Sequence, residues 1–79
     1  MFINKTPEGY NNQCGGRVSA FRKAMHKSQR ELADMLQLYG LDVDKNAIQR
    51  IEARSRFVTD IELLYLAKVL NKTYQELLE

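Results

Sequence analysis

One cysteine and one histidine leave this chain with few of the devices that small proteins use to brace themselves or to do chemistry. Cys14 has no second thiol with which to close an internal disulfide. With His26 the only histidine, no Cys/His cluster offers metal-ligand spacing. Stability is therefore expected from helix packing alone, without a metal. Long apolar runs are also missing, since none approaches the roughly 20 residues of a membrane span. The opening MFINKTPEGYNNQ lacks the hydrophobic centre of a signal peptide. The expectation is a cytoplasmic protein that does not engage a membrane. The same scarcity argues against an enzyme. One histidine, one cysteine on an apolar stripe, and carboxylates placed to cap helices make no nucleophile, acid–base pair or cofactor site.

The 79 residues suffice for one small domain. A 44% hydrophobic and 28% charged composition is that of a folded globular chain, too apolar for a disordered one. A net charge of +2 says little alone, but its distribution says more. From Arg17 to Arg56 the cations outnumber the acids, whereas beyond Arg56 the acids Asp60, Glu62, Glu76 and Glu79 outnumber Lys68 and Lys72. That asymmetry suits an anionic partner met by one side of the molecule.

Residues 1–12 contain Pro7, Gly9, Asn4, Asn11 and Asn12 with little periodicity, and read as an N-terminal arm whose Phe2, Ile3 and Tyr10 either pack or fray. The domain proper is assigned to residues 13–79. Asn11 or Asn12 can cap a first helix running to about His26, with Cys14, Val18, Phe21 and Met25 on one apolar stripe. Cys14 then reads as a small core hydrophobe, and Gly15 and Gly16 as sites where another backbone can approach closely. Ser28 with Glu31 forms a capping box, so a second helix starts at about Gln29. It buries Leu32, Ala33 and Leu36, and Gly40 suits the left-handed position beyond its end. Leu41 or Val43 plugs the core beneath the connection. Asp44 caps a third helix of about Lys45 to Ala53. Thr59 with Glu62 and Thr73 with Glu76 repeat the capping box before a fourth and a short fifth helix. Ile61, Leu64, Ala67 and Leu70 are spaced for the buried face of the fourth. The predicted fold class is all-α, a compact five-helix domain, with no strand signal and no internal repeat.

The third helix carries the functional signal. At about 100° per residue, Ala47, Ile48 and Ile51 share one arc, and Lys45, Asn46, Gln49, Arg50 and Ala53 share the opposite one. Lysine and arginine can donate to guanine O6 and N7, and asparagine and glutamine can pair with the N6 and N7 edge of adenine. The displayed arc contains no acid. Lys45, Asn46, Gln49 and Arg50 are the candidate base-contacting residues. Ser28 and Gln29 at the second helix start, and Arg54 and Arg56 after the third, are the candidate phosphate contacts.

The segments RVSAFRKAMHKS, SQRELADML, AIQRIEARSR and DIELLYLAKVLNKTYQELL, together spanning Gly16 to Leu78, resemble the Xre-type helix-turn-helix family of the lambdoid phage Cro and repressor domains. The resemblance implies a lambda-repressor-like fold, with Gln29 as the phosphate-contacting glutamine and Lys45, Asn46 and Arg50 at positions that face bases. It also implies that Glu52 pairs with Arg22 in a largely buried ion pair. Two departures stand out. Arg54 occupies a place where the family commonly has glycine, so the end of the third helix is expected to be capped differently or to run on. The connection QLYGLDVD is longer than the tight turn of the simplest members. The function implied is a sequence-specific double-stranded DNA-binding transcriptional regulator, a repressor at a pseudo-palindromic operator, acting as a homodimer. Tyr65, Tyr74 and Leu78 are the candidate dimer positions. The alternative is an antitoxin or adaptor that uses the same fold to bind a protein partner, although such an interface calls for aromatic or aliphatic anchors where Lys45 to Arg50 stand.

Overall fold

The computed structural model describes residues 4–79, so Phe2 and Ile3 of the arm lie outside the described residues. Among these, five α-helices and no strand are present: α1 (Gly15–Ala24), α2 (Gln29–Leu38), α3 (Lys45–Glu52), α4 (Asp60–Leu70) and α5 (Tyr74–Leu78). The all-α, five-helix reading holds. No described helix is long and apolar enough to cross a membrane.

Four of the five helix starts follow from residues three apart in the chain. Ser28 Oγ accepts the Glu31 N–H at 3.0 Å while the Glu31 carboxylate accepts the Ser28 N–H at 2.9 Å. Thr59 with Glu62 and Thr73 with Glu76 do the same for α4 and α5. Asp44 accepts the Ala47 N–H at 2.8 Å and caps α3. The exception is α1, which begins at Gly15 rather than beside Asn11 or Asn12, and whose N-cap, Cys14, makes no side-chain bond. Asn12 Oδ1 still accepts the Gly15 N–H at 2.9 Å, but the rest of Asn12 is engaged elsewhere.

The helix ends share a device that the sequence shows at only one of them. Each of the first four helices is followed by a left-handed residue: His26 (φ 57°), Gly40 (φ 88°), Arg54 (φ 63°) and Asn71 (φ 55°). The next N–H in each case reaches back over the last turn, Lys27 to the Arg22 carbonyl, Leu41 to Leu36, Ser55 to Arg50 and Lys72 to Ala67. The first helix therefore stops at Ala24, and His26, read as its last residue, is the turn that ends it.

The core is assembled from Val18 of α1, Leu32 and Leu36 of α2, Ile48 and Ile51 of α3, Leu66 of α4 and Leu77 of α5, with Cys14 and Val43 also buried. Val43, not Leu41, is the fully inserted plug of the α2–α3 connection, and its carbonyl accepts the Gln37 side-chain amide at 2.8 Å. The expected face of α4 is corrected. Its buried side is Glu62, Leu66, Ala67, Val69 and Leu70, whereas Ile61 is 60% exposed. Apolar residues occur all round α4, so periodicity does not fix its rotation. A tertiary contact does, as shown below.

Gly15 and Gly16 divide. A Cβ at Gly15 would overlap the Ile51 carbonyl oxygen and crowd the Arg54 and Asn12 side chains, whereas at Gly16 it would meet nothing. Gly15→Ala is therefore expected to destabilise the domain by about 1–3 kcal/mol through overpacking. Gly16→Ala is expected to stabilise it by about 0.5–1 kcal/mol through helix propensity. Urea unfolding of the two variants checks both signs.

Candidate nucleic-acid interface

The predicted rotation of α3 is the one observed. Ala47, Ile48 and Ile51 are buried, and Lys45, Asn46, Gln49 and Arg50 are exposed side by side on the opposite face. No ion pair or side-chain hydrogen bond within the described residues engages any of these four. Eight side-chain nitrogen and oxygen atoms of the kinds that base edges require are thus left available on a helix about 12 Å long.

One flank of α3 is held by charge. Arg22 of α1 meets Glu52 through two parallel bonds, Nε to Oε2 at 2.7 Å and Nη2 to Oε1 at 3.0 Å. Its remaining nitrogen Nη1 donates to the Lys27 carbonyl at 2.7 Å. The two side chains are only 11% and 7% exposed, so this is the buried ion pair that the resemblance implied. Gln29 completes the group by donating from Nε2 to Glu52 Oε1 at 3.1 Å. Burial alone would raise the Glu52 carboxyl, but the hydrogen bonds from Arg22 and Gln29 and the Arg22 charge outweigh it and hold the carboxyl below its ordinary value. Gln29 spends one amide hydrogen on Glu52 and keeps a second.

The end of α3 is fastened differently from expectation. It neither runs on nor takes a new cap, because Arg54 itself adopts the left-handed conformation usually given to glycine, at a cost of about 1–2 kcal/mol. Three contacts offset that cost. Arg54 Nε donates to the Asn12 carbonyl at 3.1 Å, the guanidinium lies 4.1 Å from the Tyr10 ring centroid, and the Arg54 carbonyl accepts the Asn11 N–H at 3.0 Å. Asn12, one of two buried polar residues among the described residues, donates from Nδ2 to the carbonyls of Ile51 at 3.1 Å and Arg56 at 2.7 Å. Asn11 donates likewise to the Ser55 carbonyl at 2.8 Å. From Thr6 onward the N-terminal segment is thus hydrogen-bonded structure that satisfies the carbonyls left over at the end of α3, and not a detached arm.

Of the four residues read as phosphate grips, both arginines are reassigned. Arg54 is committed to the N-terminal segment, and Arg56 to Glu62 through Nη1–Oε1 at 3.0 Å and Nη2–Oε2 at 2.7 Å. This second pair explains the rotation of α4, since it draws Glu62 inward and thereby turns Ile61 outward. Hydrogen bonds from Arg56, opposed by burial and joined by the Thr59 N–H and the Arg56 charge, hold the Glu62 carboxyl below its ordinary value. Ser28 remains an exposed helix start, and Gln29 is half-buried beside it. Sequence reading missed the tertiary roles of Asn12, Tyr10 and Glu62. Asn12 and Glu62 were visible only as capping residues and Tyr10 only as a side chain that packs or frays, because their partners lie in distant segments or, for Glu62, across a loop.

No family model, curated protein or solved structure matches this chain. What the site can do therefore rests on its geometry: an acid-free row of unpaired polar side chains on α3, anchored from behind by Arg22–Glu52 and from its end by Asn12.

Both carboxylates have folded-state pKa values below the ordinary value of 4.5, so their stabilisation is complete above about pH 4.5 and disappears as pH falls through the lowered values. The domain is expected to lose stability on acidification below about pH 4.5. Glu52→Gln is expected to cost about 3–5 kcal/mol at neutral pH by leaving Arg22 without its counter-charge, and to remove the Glu52 share of that acid dependence while the Glu62 share stays. Thermal melts from pH 3 to 7 check both.

Proposed function

We propose that this protein is an Xre-type, sequence-specific double-stranded DNA-binding transcriptional regulator, a repressor that reads the major groove with α3. The observation that carries the reading is the exposed, acid-free and internally unpaired set Lys45, Asn46, Gln49 and Arg50. The buried, bidentate Arg22–Glu52 pair fixes the rotation of α3, and a reading helix must hold its side chains in register with base edges. Phosphate contact falls to the α2 start, where the Ser28 hydroxyl hydrogen, the Gln29 backbone N–H and the second Gln29 amide hydrogen stand near the positive helix end. Arg54 and Arg56 act as scaffold. The protein is a binding protein of the cytoplasm and not an enzyme, and a homodimer matches the two-fold symmetry of a pseudo-palindromic operator.

The antitoxin or adaptor reading finds support in one feature only, the exposed apolar side chains Ile61, Tyr74 and Leu78, which suit a protein partner. They lie on α4 and α5, away from the α3 face, and so are compatible with DNA reading.

Selection of bound duplexes from a random pool tests the proposal directly. Binding to the selected site is expected to weaken steeply with salt. Arg50→Ala is expected to relax preference at one base position and cost about 1–3 kcal/mol without changing the melting temperature, whereas Gln29→Ala weakens all sequences alike. Arg56→Ala is expected to lower the melting temperature instead. Failure to enrich any sequence, with the fold intact, would sink the DNA reading.

A further inference from the structure

Four of the seven large exposed apolar side chains among the described residues, Tyr39, Ile61, Tyr74 and Leu78, border two adjoining grooves. Ile61, Tyr74 and Leu78 line an open groove between α4 and α5 with Leu63 and Leu64, and Asp60 stands at its edge. A second groove, walled by Tyr39 and edged by Lys68, shares Leu64 and Tyr74 with the first. None of these residues belongs to α3. On α4 the outward stripe reads Asp60, Leu64, Lys68, each four residues from the next, with Ile61 alongside. Asp60 and Lys68 lie about 12 Å apart along the axis, too far to pair with one another, and neither takes part in an ion pair among the described residues. The preference of helix ends for opposite charges accounts for an acid at the start and a lysine at the finish. It does not account for the apolar surface left exposed between them.

We propose that this face is covered by a second copy of the chain, with the two α4 helices antiparallel across a two-fold axis at Leu64. Positions 60 and 68 are equally spaced about position 64, roughly 6 Å on each side, so Asp60 of each copy comes opposite Lys68 of the other at both ends. Ile61 of each copy then comes opposite Ala67 of the other and enters the second groove, beside Lys68 and Tyr74. The stripe is self-complementary in both charge and apolarity, which a two-fold contact requires and a contact with an unrelated protein does not. This deepens the homodimer of the proposed function, but it is measured without DNA, so its failure and the failure of DNA reading are separate results.

Sedimentation equilibrium of the full chain, from micromolar to near-millimolar concentration, is expected to show a reversible dimer. Ile61→Glu, at a largely exposed position, is expected to give a monomer with an unchanged helical melt. Asp60→Lys and Lys68→Asp each place like charges together twice and are expected to weaken the dimer about tenfold. The Asp60→Lys/Lys68→Asp double variant restores opposite charges and is expected to recover most of the affinity. A wild-type chain that stays monomeric throughout, or a dimer indifferent to Ile61→Glu, overturns the interface. A double variant no tighter than the single variants overturns the antiparallel register.

Discussion

The placement of α3 depends on one buried contact, the bidentate pair between Arg22 and Glu52. Through it α1 and α3 are joined, Gln29 ties in the start of α2, and the Lys27 carbonyl fixes the loop between α1 and α2. Desolvating two charges is expensive, and the return on a buried pair is as much geometric as energetic. Two parallel bonds to a planar guanidinium leave Glu52 little freedom. With Glu52, Ile48 and Ile51 all directed inward, Lys45, Asn46, Gln49 and Arg50 have only the outside left to occupy.

A helix of eight residues needs its ends held as well as its flank. Asp44 holds the start with a local bond. The far end is closed by residues about forty positions earlier, Asn11 and Asn12, whose side chains meet the carbonyls of Ile51, Ser55 and Arg56. Gly15 is part of the same joint, because only a residue without a Cβ lets α1 begin against the Ile51 carbonyl. Arg54 can then occupy a left-handed position unfavourable to it, since its side chain is received by Tyr10 and the Asn12 carbonyl. The N-terminal segment thus belongs to the same mechanical unit as α3.

Arg56 with Glu62 plays for α4 the part that Arg22 with Glu52 plays for α3. Glu62 serves twice, as the reciprocal member of the Thr59 box and as the counter-charge to Arg56. Drawing it inward rotates the helix so that Ile61 and Leu64 border an open groove. An ion pair formed for packing therefore decides which apolar side chains of α4 are left exposed.

By itself the sequence determined the five helices, three capping boxes, the Asp44 cap, the amphipathic split of α3 and the turn at Gly40. All of these arise from bonds and periodicities spanning three to seven residues, which the order of residue types encodes directly. The Arg22–Glu52 pair was legible only through a family resemblance, because its partners stand thirty residues apart. The tertiary structure alone decided the late start of α1, the left-handed ends at His26, Arg54 and Asn71, the commitment of Arg54 and Arg56 to the scaffold, and the rotation of α4. In each case several residues had equal local claims to a role. The choice fell to whichever polar groups the fold removes from water together, and that grouping exists only once distant segments have packed.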